Sequence, residues 1–275
     1  MRSVLPALIA GSALALTAAC GNNPTPAAGP APTPTVAAST PTAPPLPAEL
    51  TKADFGPKVL GALRAAGTFR LTSNLMANGS TVDPLLKADI RLKGATADAV
   101  VTSDEGLPVT RIGKVLYMEN DELTGNPKKP WVKLDLASKD PNVLAAALVV
   151  VQDYNQAMVH QVLGGAPYAT SFRALGLQPM DGTQVREYQL SIDLKKATAA
   201  RAMGVYLTQA DAKTLPTQLS VSVMVDAKNL PHLIVFVLAD TKDGNTAVRA
   251  SYEKFGAKLP VVAPPAAKTA KLDLD

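Results

Sequence analysis

From residue 68 to residue 136 apolar and polar side chains alternate in short runs. Phe69, Leu71 and Leu75 interleave with Arg70, Thr72 and Asn74, and Ala88, Ile90 and Leu92 interleave with Asp89, Arg91 and Lys93. A period of two puts one set on each face of a half-buried strand. The same spacing predicts strands near 96–103, 107–112, 114–119 and Trp131 to Leu136, with Asn78-Gly79 as a hairpin turn. Short strands separated by turn residues make an antiparallel meander. A helix precedes it, with Asp54 as cap, Pro57 in the first turn, Val59, Leu60, Leu63 and Ala66 at helical spacing, and Gly67 as the stop.

The middle changes period. Asp140-Pro141 opens a helix whose run from Val143 to Val151 holds nothing polar, so it needs apolar cover on every side. Nine residues are too few to cross a bilayer. A second helical stretch with Tyr154, Met158, Val162 and Leu163 runs to the Gly164-Gly165 break. Alternation returns from Val185 to Leu194, gives way to a polar-faced helical stretch over roughly 195–213, and resumes from Leu219 to Val225. In Leu233 to Leu238 both faces are apolar, which predicts something greasy on each side of that strand. A last strand, Thr246 to Phe255, precedes a Pro-rich end. The expected fold is therefore α+β, a single curved antiparallel sheet with apolar helices on its concave face.

The N-terminus belongs to export. Arg2 is followed by an apolar run from Val4 to Leu16, then by Thr17, Ala18 and Ala19, directly before Cys20, the one cysteine of the chain. That pattern is a signal peptide over 1–19, and Cys20 sits where a lipobox places its acylated residue. Thr17 stands where Leu is usual in that motif. From Gly21 to Ala48 there is no charge, and nine prolines alternate with Ala and Thr. Such a segment is a semi-rigid spacer of about 3.1 Å per residue, so residues 20–50 read as a lipidated tether. The domain then spans 51–267, with 268–275 as a C-terminal tail.

Composition removes other classes. The 27 basic residues include Arg2 and face 23 acidic ones, so the mature chain is nearly balanced. Its basic residues are scattered, and no nucleic-acid partner is expected. A lone cysteine builds no disulfide framework. His160 and His232 lie far apart without acidic companions at ligand spacing, so neither a metal nor a cofactor is expected. Gly106 to Lys114 has the wrong spacing for a phosphate loop. Ser251-Tyr252-Glu253-Lys254 matches S-x-x-K, but the serine lies in a strand pattern and the companion S-D-N and K-T-G elements are missing. The chain reads as a non-enzyme. Helical and strand periodicity instead nominate a cavity lining of Leu144, Leu148, Val151, Tyr154, Met158, Val162, Ile234 and Phe236.

Gly113 to Met118, Lys129-Pro130-Trp131-Val132-Lys133-Leu134-Asp135, Tyr188 to Asp193, Leu215 to Asp226 and Tyr252 to Gly256 with Val261, Pro264 and Pro265 occur in an order that resembles the LppX/LprAFG family of actinobacterial lipoproteins. The resemblance spans most of 54–267. It implies a LolA-like, U-shaped half-barrel of eleven or so antiparallel strands, closed by helices, with acylated lipid or glycolipid carried between. It transfers Cys20 as the acylated residue, membrane attachment through that anchor on the extracytoplasmic face, and no catalytic residue. A sensor or regulatory lipoprotein acting through a protein partner is the alternative, and an envelope hydrolase a weaker one.

Overall fold

The computed structural model describes residues 45–275 apart from 78–79, 82–85, 95, 104–106, 209–212, 214, 242–243 and 273–275. Cys20, the tether up to residue 44 and the Asn78-Gly79 turn lie outside the described residues.

Helix α1 (Lys52–Ala66) is capped by Thr51, whose Oγ1 accepts from the Asp54 N–H at 3.2 Å, and not by Asp54 as the sequence suggests. Asp54 instead places its carboxylate in the first turn, where the helix dipole favours it. The alternating segments form β1 (Thr68–Ala77), β2 (Ser80–Thr81), β3 (Leu86–Lys93), β4 (Thr96–Ser103), β5 (Val109–Ile112), β6 (Val115–Glu119) and β7 (Trp131–Asp135). Helix α2 (Pro141–Gln156) starts at the expected cap, with Asp140 accepting from the Asn142 N–H at 2.8 Å. A 3₁₀ helix, Val159–Tyr168, then runs straight through the Gly164-Gly165 pair that the sequence marks as a break. After it come β8 (Ala169–Met180), β9 (Thr183–Asp193), α3 (Leu194–Ala199), β10 (Gln218–Asp226), β11 (Pro231–Thr241), β12 (Gly244–Glu253) and β13 (Thr269–Lys271).

All described strands join one open sheet in the order β13-β7-β6-β5-β4-β3-β1-β12-β11-β10-β9-β8, with β2 beside β1. Every pairing is antiparallel except β13 on β7. The fold class read from the pattern, α+β on a single antiparallel sheet, is the one observed. Register shifts interrupt the β8–β9, β10–β11 and β11–β12 ladders, and bulges of that kind bend the strands that carry them. The sheet consists of two meanders, β3–β7 and β8–β12, joined where β1 pairs with β12 from Arg70↔Glu253 to Ala77↔Thr246.

Two segments depart from the sequence reading. Residues read as a tail contribute β13, an edge strand held to β7 by Thr269↔Trp131, Ala270↔Val132 and Lys271↔Lys133. Of the helical stretch expected over 195–213, the part up to Ala199 is α-helical and a turn follows over 200–206, while 209–212 lie outside the described residues.

Candidate functional site: the helix-covered face of the sheet

One face of the sheet is apolar along its whole width. Val132 and Leu134 on β7, Leu116 on β6, Ala99 and Val101 on β4, Ile90 on β3, and Phe69 and Leu71 on β1 are buried there. Tyr252 on β12, Ile234 and Phe236 on β11, Val221 and Val223 on β10, and Leu190 and Ile192 on β9 continue it. Helix α2 packs on β4 to β7, and α1 and the 3₁₀ helix cover β1, β3 and β9. Polar residues alternate onto the other face, where Arg70 and Asp89 pair through contacts of 2.6 and 2.8 Å.

The eight nominated lining residues separate into two groups. Tyr154, Met158, Val162, Ile234 and Phe236 are buried in the layer between helices and sheet, and Val151 is partly buried against it. Leu144 and Leu148 stand on the solvent side of α2, 37% and 68% exposed, so they do not line that layer. The residues of α2 turned to the sheet are Ala147, Val150 and Tyr154. An all-apolar run offers no polar face to orient it, and periodicity selected a stripe about a quarter-turn away from the buried one. Helix α2 is thus covered on one side only, contrary to the expectation of cover all round.

Strand β11 behaves similarly. Ile234 and Phe236 are buried under the helix layer, where Phe236 meets Tyr206 edge-on at 5.6 Å. Val235 and Val237 face the other way, half-buried in a groove of about 380 Å³ with Ser191, Ser220, Ser222 and Arg173. Its second apolar face lies in that serine-lined groove and not against a second apolar layer.

Polar groups inside the layer are few and placed. Tyr154 donates from its hydroxyl to Ala97 O at 3.0 Å, and the Arg111 guanidinium lies 4.5 Å from its ring centroid. On the other face, between Ala97 and Ala99, Asp98 accepts from Arg91 Nη2 and Lys93 Nζ at 2.7 Å each and from the Gly113 N–H at 2.8 Å. Burial pushes that carboxyl up, but these donors outweigh it and hold it below the ordinary range. Asp98, which the sequence pattern did not single out, ties the β3–β4 hairpin to the β5–β6 turn. Phe69 is flanked by His160, edge-on at 5.4 Å, and by Tyr252 at 5.8 Å. His160 Nδ1 and Tyr252 Oη are buried without a hydrogen-bond partner among the described residues. Burial brings the His160 imidazole down to about 4, with the Arg64 charge adding to the effect, so it is neutral at pH 7.

His232, the other histidine, contacts Asp226 Oδ2 at 3.3 Å and stacks edge-on with Phe255. Ser251 pairs with Thr72 and Leu233 in the middle of the sheet. Among the described residues no group of three His, Cys, Asp or Glu is placed to hold a metal, and no helix is long and apolar enough to cross a membrane.

No family model matches the chain. No curated protein matches it either. Among solved structures, lipoprotein LppX of Mycobacterium tuberculosis is similar over 77% of this chain and 98% of its own, at 14% identity and a TM-score of 0.45. LprF from Mycobacterium bovis is similar over 80% and 99%, at 15% identity and a TM-score of 0.44. A putative outer membrane lipoprotein-sorting protein domain from Vibrio parahaemolyticus covers 74% and 92%, at 8% identity and a TM-score of 0.25. The first two carry names from the family that the motifs resemble.

Proposed function

We propose that this chain is an extracytoplasmic lipoprotein, acylated at Cys20, that binds and carries lipid or glycolipid between its sheet and the helices laid over it. The observation that carries the reading is the make-up of that cover. Part of it is a ten-residue 3₁₀ helix, Val159–Tyr168, with Gly164, Gly165 and Pro167 inside it. Runs of 3₁₀ longer than three or four residues are uncommon because their hydrogen bonds are poorer. Such a segment is held more by its apolar contacts than by its own hydrogen bonds, and an acyl chain taking its place keeps the apolar face out of water. Tyr252 Oη, buried in that face without a partner among the described residues, gives a polar atom of the lipid something to bond. Carriage by burial requires no bond chemistry, and none is assigned here.

The test is native mass spectrometry of the full-length lipidated protein taken from an actinobacterial envelope. The expected result is bound lipid in a fixed ratio to protein, beyond the mass of the anchor. A bare protein that also takes up no acyl-chain fluorophore after delipidation would refute the reading.

A further inference from the structure

We propose that the cleft between α1, the β3–β4 turn, the 3₁₀ helix and the turn after α3 binds a phosphate-class oxyanion, either an amphiphile's headgroup or free phosphate, on Arg64 and Arg201. The carrier reading bears only on which of these two sources supplies it.

The cleft has a volume of about 360 Å³, within the range of small-ligand sites. Its floor is apolar, from Leu60, Leu63, Leu92 and Ala97, and its polar lining is Arg64, Arg201, Gln161, Thr96 and His160. Among the described residues no carboxylate lines it. The nearby Asp98 charge is met by Arg91 and Lys93. Arg64 and Arg201 are exposed and have no ion-pair or hydrogen-bond partner for their side chains among the described residues, so two arginines border one apolar-floored cleft with their charge unmatched. Guanidinium forks are suited to phosphate oxygens. His160, buried and with Nδ1 unpartnered, closes the back as a neutral ring within electrostatic reach of Arg64.

The wall that carries Arg201 is specifically built. Helix α3 ends with the Ala202 N–H on Ala197 O at 2.9 Å and the Arg201 N–H on Thr198 O at 2.9 Å, the paired bonds of a Schellman ending. The residue at its left-handed position is Arg201, at φ 53, where glycine is the usual choice because a side chain is strained there. The turn is seated on the 3₁₀ helix by close backbone approach, since a Cβ on Gly164 would stand 1.9 Å from Ala202 O. Gln161 Oε1 then accepts from the Val205 N–H at 2.8 Å, across a position where any side chain on Gly204 would collide with it. Arg201 thus stands at a position that glycine suits better, on a turn held by its contacts with Gly164 and Gln161.

That strain yields a test that separates binding from structure. Full-length protein in detergent is titrated with inorganic phosphate, with dihexanoyl phosphatidic acid and with dihexanoylglycerol, using wild type, Arg64→Gln, Arg201→Gly and, as a control on the opposite face of the sheet, Arg173→Gln. The expected result is phosphate-dependent binding to wild type and Arg173→Gln that falls at least tenfold in Arg64→Gln and in Arg201→Gly. The melting temperature of Arg201→Gly should hold or rise, because glycine is at ease at that φ. Binding of phosphatidic acid but not inorganic phosphate assigns the site to a headgroup, and equal binding of both assigns it to the free anion. Either supports the oxyanion site. Equal affinity for the phosphate probes across all four proteins, or dihexanoylglycerol binding wild type as tightly as phosphatidic acid, would overturn it. Loss of the site with acyl uptake intact leaves the carrier reading standing, so the two fail separately.

Discussion

Gly164→Ala is the sharpest test of how the helix layer is assembled. The new Cβ would stand 1.9 Å from Ala202 O and 3.1 Å from Ala202 C, whereas real Cβ atoms essentially never come closer than 3.0 Å to a neighbour. Both obstacles are backbone, so no side-chain rotation relieves the overlap. The turn must retreat by about 1 Å, and it is tied down by the Ala202–Ala197 and Gln161–Val205 hydrogen bonds. Forced overpacking costs about 1–3 kcal/mol. For a domain of this size each kilocalorie shifts the midpoint by about 2–4 °C, so the melting temperature should fall by roughly 2–12 °C. Gly61→Ala is the matched control: it lies inside α1, and nothing stands within 4 Å of its added Cβ. That change should stabilise by about 0.5–1 kcal/mol, because alanine restricts the unfolded chain and suits a helix interior. Thermal melts followed by circular dichroism read both. A Gly164→Ala protein melting within a degree of wild type, or a Gly61→Ala protein falling as far as it, would refute the close-approach account.

Three further outcomes are expected. Asp98→Asn should cost about 1.5–3 kcal/mol, since it weakens charge-assisted bonds to a buried acceptor, and a urea denaturation midpoint unchanged from wild type would contradict this. His160 has a folded pKa near 4 against about 6.5 unfolded, so its contribution is complete above pH 6.5 and is lost as pH falls towards 4. The loss is about 3 kcal/mol, read as the difference in urea stability between pH 7 and pH 4, and His160→Leu should lack that part of the slope. Cys20→Ala should move the protein from the membrane fraction to the soluble one without changing its melting temperature, and complete retention on membranes would exclude acyl anchoring.

Most of the sheet was legible because its strands bury one face and wet the other. Alternation places Phe69, Leu71, Ile90, Leu190 and Val223 inward with no structural knowledge, and all are buried. Strand β8 was not legible, because Ala169–Met180 lies at an edge and is mostly exposed or half-buried, with Gly176 and Pro179 in its run. Edge strands tolerate proline and need no clean alternation. Strand β13 is too short to carry a pattern. Leu144 and Leu148 were misplaced because a uniformly apolar helix leaves its orientation to tertiary packing. The same packing interrupts the helix expected over 195–213 after Ala199, since the turn at 201–204 seats against Gly164 and Gly165, whose spacing announces nothing. Arg64 and Arg201 lie 137 residues apart in sequence and only meet at one cleft once α1 and that turn flank the 3₁₀ helix.

The seam between β1 and β12 sets the order in which this sheet is made. Each meander closes through neighbouring hairpins, whereas Leu71 meets Tyr252 across about 180 residues of chain. Closing a loop of that length costs about 4–5 kcal/mol of chain entropy before any contact repays it. The seam spans more of the chain than any other described strand pairing, and non-local pairing of this kind slows folding. A chain synthesised from its N-terminus delivers β1 early and β12 late. Until β12 arrives, β1 presents one edge of unpaired backbone groups beside an apolar face, a template for pairing with another chain. The join of the two meanders is thus the place where an incompletely made chain exposes a strand edge to its neighbours.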